Sequence, residues 1–390
     1  MAKRTAVGID IGSHQVKVVV AEDTRGAYRG LPVVLGTGLA ESRGLHHGYI
    51  VNRADVVRSV KVAIAEAQKS SGIHIRRAFV SVGGITLEGL RSRGEAIVSR
   101  ADLAVTDLDI TQATKDAEQK LASKLLNRKI VHAIPIAYRI DGEIVLGSKP
   151  TDMRGSKIGV EMLFIVCLEQ HVSDLIEAVE EAGIIVDDVM ASPLAASFIT
   201  LEKKQKMVGC VLANIGAETV SIVVYENSLP ISLVVFPIGS TDITNDIALG
   251  LKISLEEAER IKLGAITATA YPRKKLEEIV SARLSDIFEL VEAHLKKIGK
   301  DGLLPAGIIL TGGGSSITSV SELARAALKL PARTAPIYFN TDSKGQLKDS
   351  SWVVAYGLAV FGLSADDEES GMPLRHAGSS LSAWFRQFLP

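Results

Sequence analysis

The feature that most restricts the fold is a long-range self-match. The segment Val7–Asp23, VGIDIGSHQVKVVVAED, aligns without a gap on Val211–Asn227, VLANIGAETVSIVVYEN, at a constant offset of 204 residues. Identical pairs are Val7/Val211, Ile11/Ile215, Gly12/Gly216, Val16/Val220, Val19/Val223, Val20/Val224 and Glu22/Glu226. Each copy reads as apolar strand, Gly-containing turn and apolar strand, the pattern of a β-hairpin. Two hairpins can look alike by composition alone. Agreement carried through the turn favours duplication of a whole domain over a short solenoid repeat.

The turns point to phosphate. Backbone N–H groups at such turns face outward, and glycine lets a polyphosphate approach them. In the first copy Asp10 stands at the turn, where a carboxylate can hold a hydrated magnesium ion. Gly12 opens the turn, Ser13 adds a hydroxyl, and Gln15 and Lys17 share the parity of Ser13 on the return strand. Asn214, Gly216, Glu218 and Thr219 stand at the second turn. A third segment, AGIILTGGGSSITSVSELARAAL, predicts a buried strand over Ile308–Thr311 and a flat surface at Gly312, Gly313 and Gly314. A helix to about Leu330 follows, whose first amides face an anion. Gly-rich strand-to-helix turns also occur for purely structural reasons. Neither GxxxxGK(S/T) nor GxGxxG occurs, which sets aside the Walker and dinucleotide-binding routes.

Composition narrows the partners. Lys+Arg is 44 and Asp+Glu is 45, so the net charge of −1 argues against nucleic acid as the main partner. Cys167 and Cys210 lie in apolar runs and read as small buried hydrophobes in a reducing compartment. The histidines have no metal-ligand spacing, and His46 and His47, in a Gly-rich stretch, read as surface. The N-terminus runs directly into a strand pattern without a signal-peptide pattern. The longest apolar run, around Val353–Leu363, contains two glycines, whereas a membrane span needs roughly 20 apolar residues. These features predict a soluble cytoplasmic protein.

The end of the chain adds a different signal. SADDEESGMPLRHAGSS is acidic, then polar, and reads as a flexible linker. In LSAWFRQFLP, Leu381, Trp384, Phe385, Phe388 and Leu389 fall at i, i+3, i+4, i+7 and i+8, one face of a helix, with Ser382, Arg386 and Gln387 mainly opposite. That pattern fits an interfacial helix on an anionic membrane surface. A tail helix docked on its own protein is the alternative.

The order hairpin, hairpin, TGGG resembles that of the actin-like, sugar-kinase and DnaK-type ATPases. Within them the chain most resembles the FtsA cell-division family, over almost its whole length. FPIGSTDITNDIALGLKISLEEAERIKLGAI, NRKIVHAIPIAYRIDGE and SARLSDIFELVEAHLKK follow that family's pattern and are not shared with chaperones or sugar kinases. The resemblance implies an α/β, actin-like ATPase fold: two RNase H-like lobes around a nucleotide cleft, with an inserted IC (SHS2) subdomain. It implies subdomain IA over 1–83, 166–200 and 338–363, IC over 84–165, IIA over 201–239 and 302–337, and IIB over 240–301. A linker over 364–379 and a membrane-targeting helix over 380–390 would follow. Two capping boxes, Thr106 with Asp109 and Ser254 with Glu257, predict helix starts in IC and IIB. A later helix carries an apolar stripe of Ile279, Leu284, Ile287, Phe288, Leu290, Val291 and Leu295.

By resemblance the cofactors are ATP and magnesium, with Glu259 and Lys262 near the ribose and adenine. Read from the residues alone, that pair is an i,i+3 ion pair on a solvated helix face. The implied partners are the acidic, apolar FtsZ carboxy-terminal peptide at Arg283, further copies of the chain in a polymer, and other division proteins through IC. The implied place is the cytoplasmic face of the cell membrane at the septum, as a peripheral protein. Departures matter. The family's second phosphate loop reads like DIGGGTTD, whereas Asn214 and Glu218 stand here, and Ser192 replaces the Glu of the family's LEPLASS pattern. Phosphoryl transfer depends on positioning and charge neutralisation, so two missing carboxylates imply weak or absent ATPase activity. The alternatives are a PilM-like adaptor of type IV pilus assembly, which would lack the membrane tail, and a sugar or acyl kinase, for which no general-base Asp stands out.

Overall fold

The computed structural model describes residues 4–23, 31–145, 149–265, 271–335, 340–341 and 349–365. The chain opens with β1 (Thr5–Ile11), β2 (Gln15–Glu22) and β3 (Val33–Glu41), then a small hairpin of β4 (Leu45–His46) and β5 (Tyr49–Ile50), α1 (Arg53–Ser71) and β6 (Arg77–Val82). An inserted module follows: β7 (Glu88–Ile97), α2 (Asp107–Gln119), β8 (Arg128–Ile140), β9 (Glu143–Val145) and β10 (Lys157–Leu168). The chain returns through α3 (Glu169–Glu181), β11 (Ile185–Ala191), α4 (Ser192–Thr200) and α5 (Lys203–Val208). The second half runs β12 (Cys210–Ile215), β13 (Val220–Glu226), β14 (Leu229–Phe236), α6 (Ser240–Leu251), α7 (Leu255–Lys262), α8 (Arg273–Lys297), β15 (Ile308–Thr311), α9 (Val320–Leu328) and β16 (Ala332–Thr334). Last come β17 (Asn340–Thr341) and α10 (Val353–Ala365).

The duplication expected from the hairpins extends to whole sheets. The first sheet has the order β11-β6-β1-β2-β3-β17 and the second β14-β13-β12-β15-β16. In each, an antiparallel three-strand meander is extended by two parallel strands on the side of its first strand. The hairpin registers match too. Ile11 pairs with Val16 and Ile215 with Val220, so both turns enclose the same number of residues. β-branched runs such as Val18–Val20 suit these central strands, which are buried on both faces and therefore lack simple alternation.

The two sheets share a core. Leu212, Val223, Leu233 and Ile309 join the cluster built on β1, β2 and α10, while Val211, Ala213, Val224 and Ile308 face α8 and α9. α10 is apolar all round and is the buried central helix of the first lobe. Two glycines allow its close packing. A Cβ on Gly8 would meet the Ala355 carbonyl oxygen at 2.0 Å, and one on Gly357 the Ala195 carbonyl oxygen at 1.9 Å. The insertion is a separate sheet, β7-β10-β8-β9, with α2 on one face and its own core around Val105, Ala113, Met162 and Phe164. Thr106 and Asp109 cap α2 reciprocally, as expected. At α7 the Ser254 hydroxyl accepts from the Glu257 amide (3.2 Å), and the helix starts at Leu255. In α8, Leu284, Ile287, Phe288, Val291 and Leu295 are buried, but Leu290 is exposed because it falls at the edge of the stripe.

Gly357→Val should destabilise the protein by at least about 1–3 kcal/mol, the usual cost of overpacking, because α4 cannot retreat from α10 without disturbing the sheet beneath. The urea midpoint followed by circular dichroism checks this, and an unchanged midpoint would contradict the packing.

Candidate functional site: the cleft between the lobes

Three turns converge between the lobes around a cavity of about 460 Å³. Its walls hold Asp10, Gly12, Ser13, Gln15 and Lys17 from the first hairpin, and Asn214, Gly216, Glu218 and Thr219 from the second. Glu259 and Lys262 reach it from α7, and Gly312, Gly313 and Gly314 follow β15 into it. The sequence-predicted cleft residues are thus brought together. Arg283 is not among them. It lies on α8, where its guanidinium pairs with Asp246 (2.7 and 3.1 Å) and Asp286 (3.2 Å). The tail positions Leu381, Trp384, Phe385, Phe388 and Leu389 lie outside the described residues.

Hairpin register sets the charge at the base of the cleft. Asp10 stands directly opposite Lys17 across β1 and β2; Lys17 is buried and Asp10 half-buried at the edge of the cavity. Burial raises the Asp10 pKa, against the opposing pull of Lys17 and a 2.7 Å hydrogen bond from Ser81 Oγ. Burial likewise lowers the Lys17 pKa, although Asp10 and Asp349 attract its charge. Each ion is therefore short of solvation, a state in which a further polar ligand is favoured. At the equivalent place in the second hairpin, Asn214 pairs with Ser221, and no charge is present.

The three glycines play different parts. Gly312 has φ +84°, and a Cβ there would meet Asn214 Oδ1 at 2.1 Å. A Cβ on Gly314 would meet Ile215 Cγ2 at 2.4 Å. Both serve the close approach of β15 to the second hairpin. Gly313 has nothing within 4 Å of a built Cβ, so it alone presents open backbone. The helix expected directly after the glycines starts later, at Val320. A short 3-10 turn over Gly313–Ser316 comes first. The reason is local: Ser315 Oγ donates to the Gly312 carbonyl (2.7 Å) and Ser316 Oγ to the Gly313 carbonyl (2.8 Å), closing the chain on itself. The amides at the start of α9 do not line the cavity.

On α7, Lys262 Nζ contacts Glu259 (2.7 Å), Thr244 Oγ1 (2.8 Å) and the Ser240 carbonyl (3.1 Å). Its side chain is only 5% exposed while that of Glu259 is 41% exposed, so the lysine end of the pair is withdrawn from solvent and the carboxylate is not. Burial opposes ionisation of Glu259, but hydrogen bonds from Lys262 and Thr244 outweigh it and hold the carboxyl below its usual range.

Several residues of the site were not legible in the sequence. The β4–β5 loop crosses the mouth of the cleft. His47 N donates to Glu218 Oε2 (2.5 Å), His46 Nδ1 lies 3.6 Å from Glu218 Oε1, and Gly48 N donates to Ser13 Oγ (3.2 Å). His46 is exposed, as expected of a surface residue, yet both histidines meet the opposite lobe. Ser350 Oγ donates to the Gly312 carbonyl (2.8 Å). Ser192, singled out in the sequence as replacing a glutamate, lines the cavity at the start of α4. The one available signal was Glu218 itself, an acid in a turn built for close backbone approach. Among the described residues, no group of three or more His, Cys, Asp and Glu is placed to hold a metal, and no helix is long and apolar enough to cross a membrane.

Comparison with known proteins places this geometry. The family model for "Cell division protein FtsA" matches residues 211–357, and that for "SHS2 domain inserted in FTSA" matches 84–166. The cell division protein FtsA of Pseudomonas aeruginosa is 30% identical over 97% of this chain and 93% of its own length. Among solved structures, the PilM–PilN type IV pilus biogenesis complex aligns with a TM-score of 0.70 at 17% identity, over 92% of this chain and 98% of that one. MreB5 of Spiroplasma citri bound to ADP aligns with a TM-score of 0.51 at 13% identity, over 94% and 99%. These last two likenesses are of fold.

Proposed function

We propose a role from one premise: this chain belongs to the FtsA family of cell-division proteins. It is an actin-like cell-division protein with an SHS2 insertion. On our reading it binds ATP with magnesium between the lobes and tethers FtsZ filaments to the cytoplasmic face of the membrane at the septum. The observation that carries the nucleotide part is the convergence of both hairpin turns and the open Gly313 backbone on one cavity. Its volume lies within the range of about 300–1,000 Å³ usual for small-molecule sites.

The chain's own residues divide the work. The Gly12–Ser13 and Gly216–Thr219 turns face the phosphates. Lys17 supplies positive charge from the floor, and Glu259 and Lys262 meet the ribose and base. The open face of Gly313 takes the adenosine. A magnesium ion near Asp10 would neutralise phosphate charge. Asn214 and Ser192 supply no carboxylate to the cleft, which supports slow hydrolysis. The acidic FtsZ peptide is assigned to the α6–α8 subdomain with Arg283 as its charged contact, which must then be shared with Asp246. Further copies of the chain in a polymer and other division proteins through the SHS2 module complete the proposed partners. Tail residues Leu381, Trp384, Phe385, Phe388 and Leu389 are proposed to insert into anionic membrane. A single short helix binds weakly, and many tails on one filament would raise avidity.

Two measurements test this. Gly313→Val should fold, because its Cβ enters open space, yet weaken ATP binding by about tenfold or more in isothermal titration calorimetry, equivalent to about 1.4 kcal/mol. Unchanged affinity would remove Gly313 from the adenosine surface. Deleting residues 380–390 should release the protein from anionic liposomes in a sedimentation assay while ATP binding stays. Full liposome binding by the truncated protein would sink the tether.

A further inference from the structure

Glu218 is the one acid in the second turn, and nothing in the packing of the turn requires it. The backbone around it is fixed. Gly216 N donates to the Thr219 carbonyl (2.9 Å), Ser240 N to the Gly216 carbonyl (2.9 Å) and Thr241 N to the Ala217 carbonyl (2.8 Å). A Cβ on Gly239 would lie 2.2 Å from the Ala217 carbonyl oxygen, so the start of α6 is pressed against the turn. The turn therefore cannot draw back from the cleft, and only the side chain is free to move.

That side chain reaches across to the first lobe. Its carboxylate accepts from His47 N (2.5 Å) and lies 3.6 Å from His46 Nδ1, while His47 Nδ1 lies 3.1 Å from the Glu218 carbonyl oxygen. The next amide, Gly48 N, donates to Ser13 Oγ (3.2 Å). Two consecutive amides thus hold one side chain from each hairpin turn, which places the Glu218 carboxylate beside the Ser13 hydroxyl and between the turns. The loop that offers these amides is itself held: a Cβ on Gly48 would meet Gly84 Cα at 2.5 Å. The Glu218 side chain is 24% exposed, so its charge is only partly screened by water.

We propose that Glu218 makes the cleft select a nucleoside diphosphate over a triphosphate. Its carboxylate occupies, from within the protein, the space between the two turns that a third phosphate group would enter. A terminal phosphate arriving there meets like charge and must displace the carboxylate from the His47 amide. A diphosphate ends short of it. The proposal rests on the nucleotide reading of the cleft above.

The test is calorimetric titration of the full chain with magnesium ADP and magnesium ATP, in the unmodified protein, Glu218→Gln and Glu218→Ala. The unmodified protein should bind ADP at least about tenfold more tightly than ATP, a ratio equivalent to about 1.4 kcal/mol. Glu218→Ala should bring the two affinities together by tightening ATP. Glu218→Gln keeps an acceptor for the His47 amide and loses only the charge, so it should recover ATP binding as well. Equal affinities in the unmodified protein, or an ADP preference unchanged in Glu218→Ala, would overturn the selection while leaving the nucleotide site intact. Failure of both nucleotides to bind any of the three proteins would overturn the site and the selection together.

Discussion

The cleft depends on a pair of opposite charges held at its floor where a hairpin turns, Lys17 buried and Asp10 half-buried. Asp10 and Lys17 face each other across β1 and β2, flanked along their strands by Ile9, Ile11, Val16 and Val18. Burial shifts both toward their neutral forms, so mutual attraction does not repay the loss of water. A chain that keeps the ions keeps them for what they meet in the cleft. The rest of the architecture holds this hairpin still: α10 behind it through Gly8, β6 beside it with Ser81 on the Asp10 carboxylate, and the second sheet sharing its core.

Duplication supplied two hairpins, and they have diverged in chemistry more than in shape. Register and turn length are the same in both. The charges are not. Asn214 and Ser221 replace Asp10 and Lys17, and the Asn214 side chain instead packs against Gly312. The second hairpin has become a buttress for the glycine motif and a carrier of Glu218, while the first keeps the ionic floor. This asymmetry accompanies membership of the FtsA family of cell-division proteins.

How far the molecule was legible in the sequence follows from the range of each interaction. The hairpins, the buried strand before the glycines and the cap at Thr106 are set by neighbours in the chain, and all read directly. So did the twelve cleft residues of the two hairpins and the glycine motif, carried by turn glycines and motif order, whereas Glu259 and Lys262 came only through the family resemblance. The late start of α9 did not, since serine hydroxyls closing on nearby carbonyls leave no periodicity to find. Leu290 matched a helical spacing that says nothing about where the neighbouring helices end. The bridge from His46 and His47 to Glu218 joins residues 171 and 172 positions apart and exists only once the lobes meet.

A nucleotide held in the cleft would contact all three turns at once. Hydrogen–deuterium exchange of the full chain, with and without saturating magnesium ADP, reads this segment by segment. Exchange should slow in the peptides covering 10–17, 214–219 and 312–317 together, with that covering 259–262, and change little in the SHS2 module. Protection confined to one hairpin, or none in the glycine segment, would contradict it.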